Sequence, residues 1–176
     1  FKIRFVNRLD MDTSGLLIVG KNSNAQDKII HQMHKDDVEK TYITLVNGIV
    51  SDDEFTVNLP IGRPDPDSPL RSVMEVHGKP SITHVKVLER FSSGFTLLKV
   101  HLETGRTHQI RVHLTHLGHP LCGDTLYGDH CPEIIDRQAL HAYNLSFKHP
   151  TSDKKMEFEA PLPEDFLKAI EIIKNM

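Results

Sequence analysis

Two runs, residues 82–91 and 95–103, alternate apolar with polar side chains and are separated only by Ser92-Ser93-Gly94. A connection that short turns the chain back on itself, so the pair reads as a β-hairpin. Other strand-like runs surround it. Phe1 to Val6 alternates apolar with basic residues, as a half-buried strand does, and Leu16 to Val19 reads as a buried strand. Residues 41–50, rich in Thr, Tyr, Ile and Val, form another, closed by Ser51-Asp52-Asp53; further strands are expected near 138–147 and 155–159. Helical signals are fewer. Ser23 followed by Gln26 has the form of a capping box opening a helix through about His34. In Thr107 to Leu117, Ile110, Leu114 and Leu117 fall on one stripe, and Gly118 stops the helix. Pro163 introduces a last amphipathic helix to about Lys174. Many strands with few helices, and hairpins mixed among them, argue an α+β fold with a central mixed, largely antiparallel sheet flanked by a few helices.

At 176 residues the chain has room for one domain, 1–176, and is long enough to fold without disulfides or metal. With 38% hydrophobic and 26% charged residues it is not a disordered composition. No apolar run approaches the ~20 residues of a membrane span. The two cysteines, Cys122 and Cys131, suit a reducing compartment, so a cytoplasmic protein is expected. Residues 60–80 hold five prolines and two glycines and read as a long ordered or semi-ordered loop. Nothing introduces the opening strand, so the chain is expected to begin inside a larger protein. A net charge of −3 does not advertise a nucleic-acid binder, but a local patch decides phosphate binding. The basic face lies toward the front, where Lys2, Arg4, Arg8, Lys21 and Lys28 stand against three acids.

Three constellations carry candidate chemistry. Asp10-Met11-Asp12-Thr13-Ser14-Gly15 starts like a calcium loop, but the twelfth position, which needs a bidentate Glu, is Lys21. An Asp-x-Asp-x-Thr phosphatase would want an apolar strand just before the pair, where Asn7 and Arg8 stand. On spacing alone an Asp-Thr-Ser-Gly turn between two strands is the leading account. The second constellation is Glu103-Thr104-Gly105-Arg106-Thr107-His108-Gln109-Ile110-Arg111, with His108, Arg111 and Thr115 sharing a helix face beside the apolar stripe. A solvated polar face explains any one of these; Arg106, His108, Gln109 and Arg111 together suit a phosphate or a buried acid better. The third, His113, His116, His119 and Cys122, tempts a metal reading. Gly118 and Pro120 break its geometry, and no metal is expected.

In chain order these segments resemble the RluA-type family of pseudouridine synthases. The resemblance rests on Arg8-Leu9-Asp10-Met11-Asp12-Thr13-Ser14-Gly15-Leu16-Leu17, on Lys40-Thr41-Tyr42, and on Leu102 through Leu114. Gly118-His119-Pro120, Gly123-Asp124, Leu126-Tyr127-Gly128, Leu140-His141-Ala142 and His149-Pro150 extend it over nearly the whole chain. It implies an enzyme that isomerises uridine to pseudouridine in structured RNA, ribosomal RNA first and tRNA second, as a monomer without cofactor. It makes Asp10 the catalytic aspartate, Tyr42 the aromatic beside the target base and Arg111 the ion-pair partner of Asp10. Arg8 would displace the uridine from its stack, Leu140 would line the pocket, and Arg106, His108 and Gln109 would meet the substrate. The family commonly has His where this chain has Asn7, which puts RNA contact there in question. Family members extend further at the N-terminus, often with a small S4-like RNA-binding domain. The rival expectation is an RNA-binding module without catalysis.

Overall fold

The computed structural model describes residues 2–35 and 37–176. Phe1, where the opening strand was expected to start, lies outside the described residues. The chain runs β1 (Arg4–Phe5), β2 (Ser14–Gly15), β3 (Val19–Gly20), α1 (Ser23–His34), β4 (Glu39–Asn47), β5 (Glu54–Asn58), β6 (Ile61–Gly62) and β7 (Ser72–Val73). It continues through β8 (Ile82–Phe91), β9 (Phe95–Leu102), α2 (Gln109–His116), β10 (Leu140–Lys148), β11 (Lys155–Glu159) and α3 (Glu164–Lys174). The main sheet has the order β11-β10-β4-β9-β8-β5, all antiparallel, with β2 added in parallel to the start of β10. The fold is therefore α+β with a mixed, largely antiparallel sheet.

Both faces of the sheet are covered, and side-chain parity shows how. In β4, Ile43 and Leu45 pack with Phe166, Ala169 and Ile173 of α3; Tyr42 and Val46 point the other way, to Ile110 and Leu114 of α2. β9 repeats the division, with Leu97 toward α3 and Leu98, Val100 and Leu102 toward α2. A strand buried on both faces loses the apolar–polar alternation, as Ile43-Thr44-Leu45-Val46 does, with the buried Thr44 hydroxyl donating to the Ala139 carbonyl. In β8 the register shifts between Val87 and Glu89; the bulge carries Val85 and Val87 to the α2 side and Phe91 to the α3 side. Burial of side chains such as Leu45, Leu98 and Leu114, each at 0% exposure, is worth roughly 1.5–3 kcal/mol apiece.

Three local expectations are corrected. Leu16 to Val19 is no buried strand: β3 begins only at Val19, Leu17 and Val19 are exposed, and Ile18 goes into the core under α1 with Leu16 partly buried against the same cluster. The cap of α1 is Asn22, whose Oδ1 accepts from the Ala25 amide at 2.8 Å. Gln26 does not reach back in a capping box but donates to the Phe5 carbonyl. α2 starts two residues late, because His108 adopts a left-handed conformation (φ 58°), and Leu117 is exposed after the helix has ended. That end is a Schellman turn: with Gly118 at φ +85°, the His119 amide donates to the Leu114 carbonyl and the Gly118 amide to the Thr115 carbonyl. Residues 60–80 are ordered enough to pair β6 with β7.

Candidate active site

Asp10 opens a tight turn, its carbonyl accepting from the Thr13 amide at 3.0 Å, with Asp12 at φ +66°. Gly15 closes the turn at φ +110°, and a Cβ there would lie 2.2 Å from the Ala142 carbonyl oxygen. Only glycine lets β2 come this close to β10. The turn forms one wall of a cleft of about 260 Å³ that reaches Tyr42 on β4, Leu140 on β10 and the segment entering α2. Asp10, Tyr42, Arg8, Arg106, His108, Gln109 and Leu140 all line this cleft. Arg111 does not. It is buried behind Asp10, with its Nη1 3.5 Å from Oδ2.

The first partner of Arg111 is a residue to which the sequence reading gave no role. Asp124, fully buried, takes the guanidinium as a fork, Nε to Oδ2 at 2.7 Å and Nη2 to Oδ1 at 2.7 Å. Its Oδ1 also accepts the Leu126 and Tyr127 amides at 3.0 and 3.1 Å. Burial lowers the pKa of Arg111, but the Asp124 hydrogen bonds and charge, with Asp10 behind them, more than reverse this, so the cation is reinforced. The Tyr127 ring lies under the guanidinium, 5.0 Å from Cζ to centroid. The available signals were Gly123-Asp124, and the rule that an inward-turned arginine needs a carboxylate; sequence alone did not say which.

The other residues fall into two groups. Burial, and then the charge of Asp10, push the Tyr42 phenol up to about 12, so it is a neutral hydroxyl on a flat ring at physiological pH. His108 Nδ1 sits 2.9 Å from the Tyr127 hydroxyl, which already accepts the Arg71 amide. The Tyr127 proton can then go to Nδ1, and burial holds His108 below the usual histidine range, favouring the neutral ring. Arg8 donates to the Thr107 hydroxyl at 2.8 Å and Arg106 to the Pro80 carbonyl at 3.1 Å. Gln109 is different. Its Oε1 accepts from Thr104 Oγ1 and the Arg106 amide, and its Nε2 donates to the Ile82 carbonyl and Thr83 Oγ1. All four positions of its amide are thus filled by the protein's own groups in this arrangement. Asn7 also turns inward, Oδ1 accepting the Ile18 amide at 2.8 Å.

His113 donates from Nε2 to the Leu59 carbonyl and accepts from Thr83 Oγ1 at Nδ1, which makes it a neutral core histidine. Among the described residues no three His, Cys, Asp or Glu side chains are placed to hold a metal ion, and no helix is long and apolar enough to cross a membrane.

Comparison with known proteins points one way. A family model described as RNA pseudouridylate synthase matches residues 1–116. An uncharacterized RNA pseudouridine synthase of Bacillus subtilis, YlyB, is 46% identical over 170 residues, covering 97% of this chain and 55% of that protein. A ribosomal large subunit pseudouridine synthase D of Neisseria meningitidis is 42% identical over 181 residues, covering 96% of this chain and 48% of that protein. The chain thus spans about half the length of the curated relatives it matches. Among solved structures, the human RNA pseudouridylate synthase domain containing 1 aligns with a TM-score of 0.79 at 32% identity, over 92% of this chain and 70% of that one. The human domain containing 4 aligns at 0.82 with 18% identity, over 98% of this chain and 76% of that one, a likeness of fold.

Proposed function

Because the chain belongs to the RNA pseudouridylate synthase family, we propose that it isomerises uridine to pseudouridine in RNA with Asp10 as the reacting carboxylate. The observation that carries this is Asp10 in the cleft wall with the Arg111 cation 3.5 Å behind it and the Tyr42 ring in the same cleft. The reaction breaks a C–N glycosidic bond, turns the uracil over and closes a C–C bond, with no net redox change. It calls for a carboxylate at the anomeric carbon, a flat face for the free base and a route for the nucleotide out of its stack. Asp10 supplies the first, by adding to the anomeric carbon or by taking the neighbouring ribose proton. Tyr42 supplies the second: stacking on an aromatic is worth ~1–3 kcal/mol. Exposed Arg8 at the cleft supports the third. Arg111 gives the Asp10 carboxylate a counter-charge at 3.5 Å.

Large-subunit ribosomal RNA is the substrate to try first, since relatives such as the Neisseria protein carry it in their names. A monomer acting in the cytoplasm goes with this reading. The test is tritium release from RNA labelled at uracil C5, the carbon that forms the new bond, comparing wild type with Asp10→Ala in the presence of EDTA. Release by wild type alone is expected. Equal release by Asp10→Ala would overturn the assignment of Asp10, and RNA binding without release would leave a binding module.

A further inference from the structure

We propose that Arg137 and Gln138 are positioning residues for Asp10, and that Asp165 makes the C-terminal helix α3 part of the same support. The inference rests on the proposed function, because what is at stake is the placement of Asp10 for reaction. Among the described residues the Asp10 side chain shows one ion-pair contact, the 3.5 Å approach of Arg111, so the turn that carries it contributes to its aim. That turn closes itself with a single backbone hydrogen bond and holds Asp12 in a strained left-handed conformation.

Four of its remaining acceptors are taken up from outside by two consecutive side chains more than 120 residues away, with His141 Nδ1 also 2.9 Å from Ser14 Oγ. Arg137 Nη1 donates to the Asp12 carbonyl at 3.1 Å, and Nη2 to Ser14 Oγ at 3.2 Å. Gln138 Nε2 donates to the Met11 carbonyl at 2.5 Å and to Thr13 Oγ1 at 3.1 Å. Every residue from Met11 to Ser14 is therefore held by one or other of the pair. A guanidinium and an amide suit the task because they offer several donors in fixed planes, and the turn presents acceptors.

Arg137 is itself fixed in place. Asp165 binds it as a fork, Nε to Oδ2 at 2.7 Å and Nη2 to Oδ1 at 3.1 Å, and Arg137 holds that carboxyl below the usual carboxylate range. Asp165 Oδ1 also accepts the amide of Phe166, which is fully buried between α3 and the sheet. A continuous path thus runs from the core of α3 through Asp165 and Arg137 to the backbone two residues past Asp10. Arg137 and Asp165 sit at the rim, 16% and 48% exposed, so the path can be cut without emptying the core.

The experiment uses the full-length protein and an unmodified transcript of large-subunit ribosomal RNA, tritiated at uracil C5. Single-turnover release and filter binding are measured on the same RNA, with circular dichroism to confirm folding. Arg137→Ala and Gln138→Leu are each expected to slow release 10- to 100-fold, the loss typical of a reacting group displaced by ~1 Å, with Kd changed less than threefold. Asp165→Asn should slow it 3- to 10-fold, and the Arg137→Ala/Asp165→Asn double variant should be no slower than Arg137→Ala alone. Unchanged rates, a loss confined to Kd, or multiplicative effects in the double variant would each overturn the proposal. Should Arg137→Ala fail to fold, Asp165→Asn, whose carboxylate is half exposed, decides the question alone. Wild type and Asp10→Asn are run alongside: an inactive wild type refutes the proposed function itself, whereas an active wild type with unaffected rim variants refutes only the positioning role.

Discussion

Replacing Asp124 with asparagine is the sharpest test of the electrostatics behind Asp10. The carboxylate is fully buried and receives four donors: two from the Arg111 guanidinium at 2.7 Å and the amides of Leu126 and Tyr127. Asparagine keeps one oxygen for the amides but turns an NH₂ group toward an Arg111 N–H, leaving a buried cation facing a donor. Breaking a buried pair from one side costs roughly 3–5 kcal/mol, and for a domain of this size each kcal/mol moves Tm by about 2–4 °C. Asp124→Asn should therefore melt roughly 6–20 °C below wild type. Arg111→Met should fall by a similar amount, since it strands the carboxylate. The double variant Arg111→Met/Asp124→Asn, which leaves Asp10 without its cation, keeps an oxygen for the two amides and leaves no unpaired charge at this pair, should recover much of the stability while remaining inactive. Thermal melts with a urea series give the three values, and tritium release gives activity. Losses below ~1 kcal/mol for the single variants, or a double variant as unstable as the sum of the singles, would refute the buried-pair account.

The remaining predictions are simpler. Tyr42→Phe should keep the rate within about tenfold, while Tyr42→Ala loses the stacking face and falls roughly 5- to 150-fold, the equivalent of ~1–3 kcal/mol; equal losses in both would move the role from ring to hydroxyl. Because the Tyr42 phenol sits at about 12, the pH–rate profile should show no Tyr42 ionisation below pH ~10, and Tyr42→Phe should leave its shape intact there. Gly15→Ala places a Cβ 2.2 Å from the Ala142 carbonyl at a positive φ, and should cost at least ~2 kcal/mol in a urea melt. Burial holds the His113 pKa below the ordinary 6.5, so below that pH the unfolded chain takes up a proton that the folded one refuses. Stability should fall as pH drops from 7 toward 5, by at most ~1.4 kcal/mol per pH unit for this one group, and His113→Gln should flatten the slope. A Tm independent of pH across that window would contradict the burial of a neutral imidazole.

What could be read from sequence was whatever is decided locally. The β8–β9 hairpin, the span of α1 and the apolar face of α3 depend on periodicity and on turn residues a few positions away. The errors come where a distant element decides. Leu16 and Leu17 look like strand interior, yet the parallel pairing of Ser14 and Gly15 with β10 ends just before them. The left-handed His108 shortens α2, and nothing in the local spacing announces it. Within the site, the residue types at 10, 42 and 111 could be named from resemblance. The Asp124 fork and the Arg137–Gln138 hold on the turn join segments whose meeting depends on the assembled fold.

The unequal sharing of Arg111 has a physical consequence for the proposed chemistry. Asp124 takes the cation at hydrogen-bonding distance on two atoms, and Asp10 meets it at 3.5 Å on one. At that separation the Arg111 cation attracts the Asp10 carboxylate, and the Asp124 carboxylate on the same guanidinium offsets part of that attraction. A 3.5 Å contact leaves the carboxylate without a tight hydrogen bond that it would have to break on approaching the ribose. Had the roles been reversed, with Asp10 in the fork, the charge would be better stabilised but the oxygen less free to react. Asp124 thus fixes the cation in advance, so that no reorganisation is needed when charge on Asp10 changes. The same logic explains why Arg111 and Asp124 lie out of the cleft while Asp10 faces it: the pair supplies a fixed field, and the turn supplies the aim.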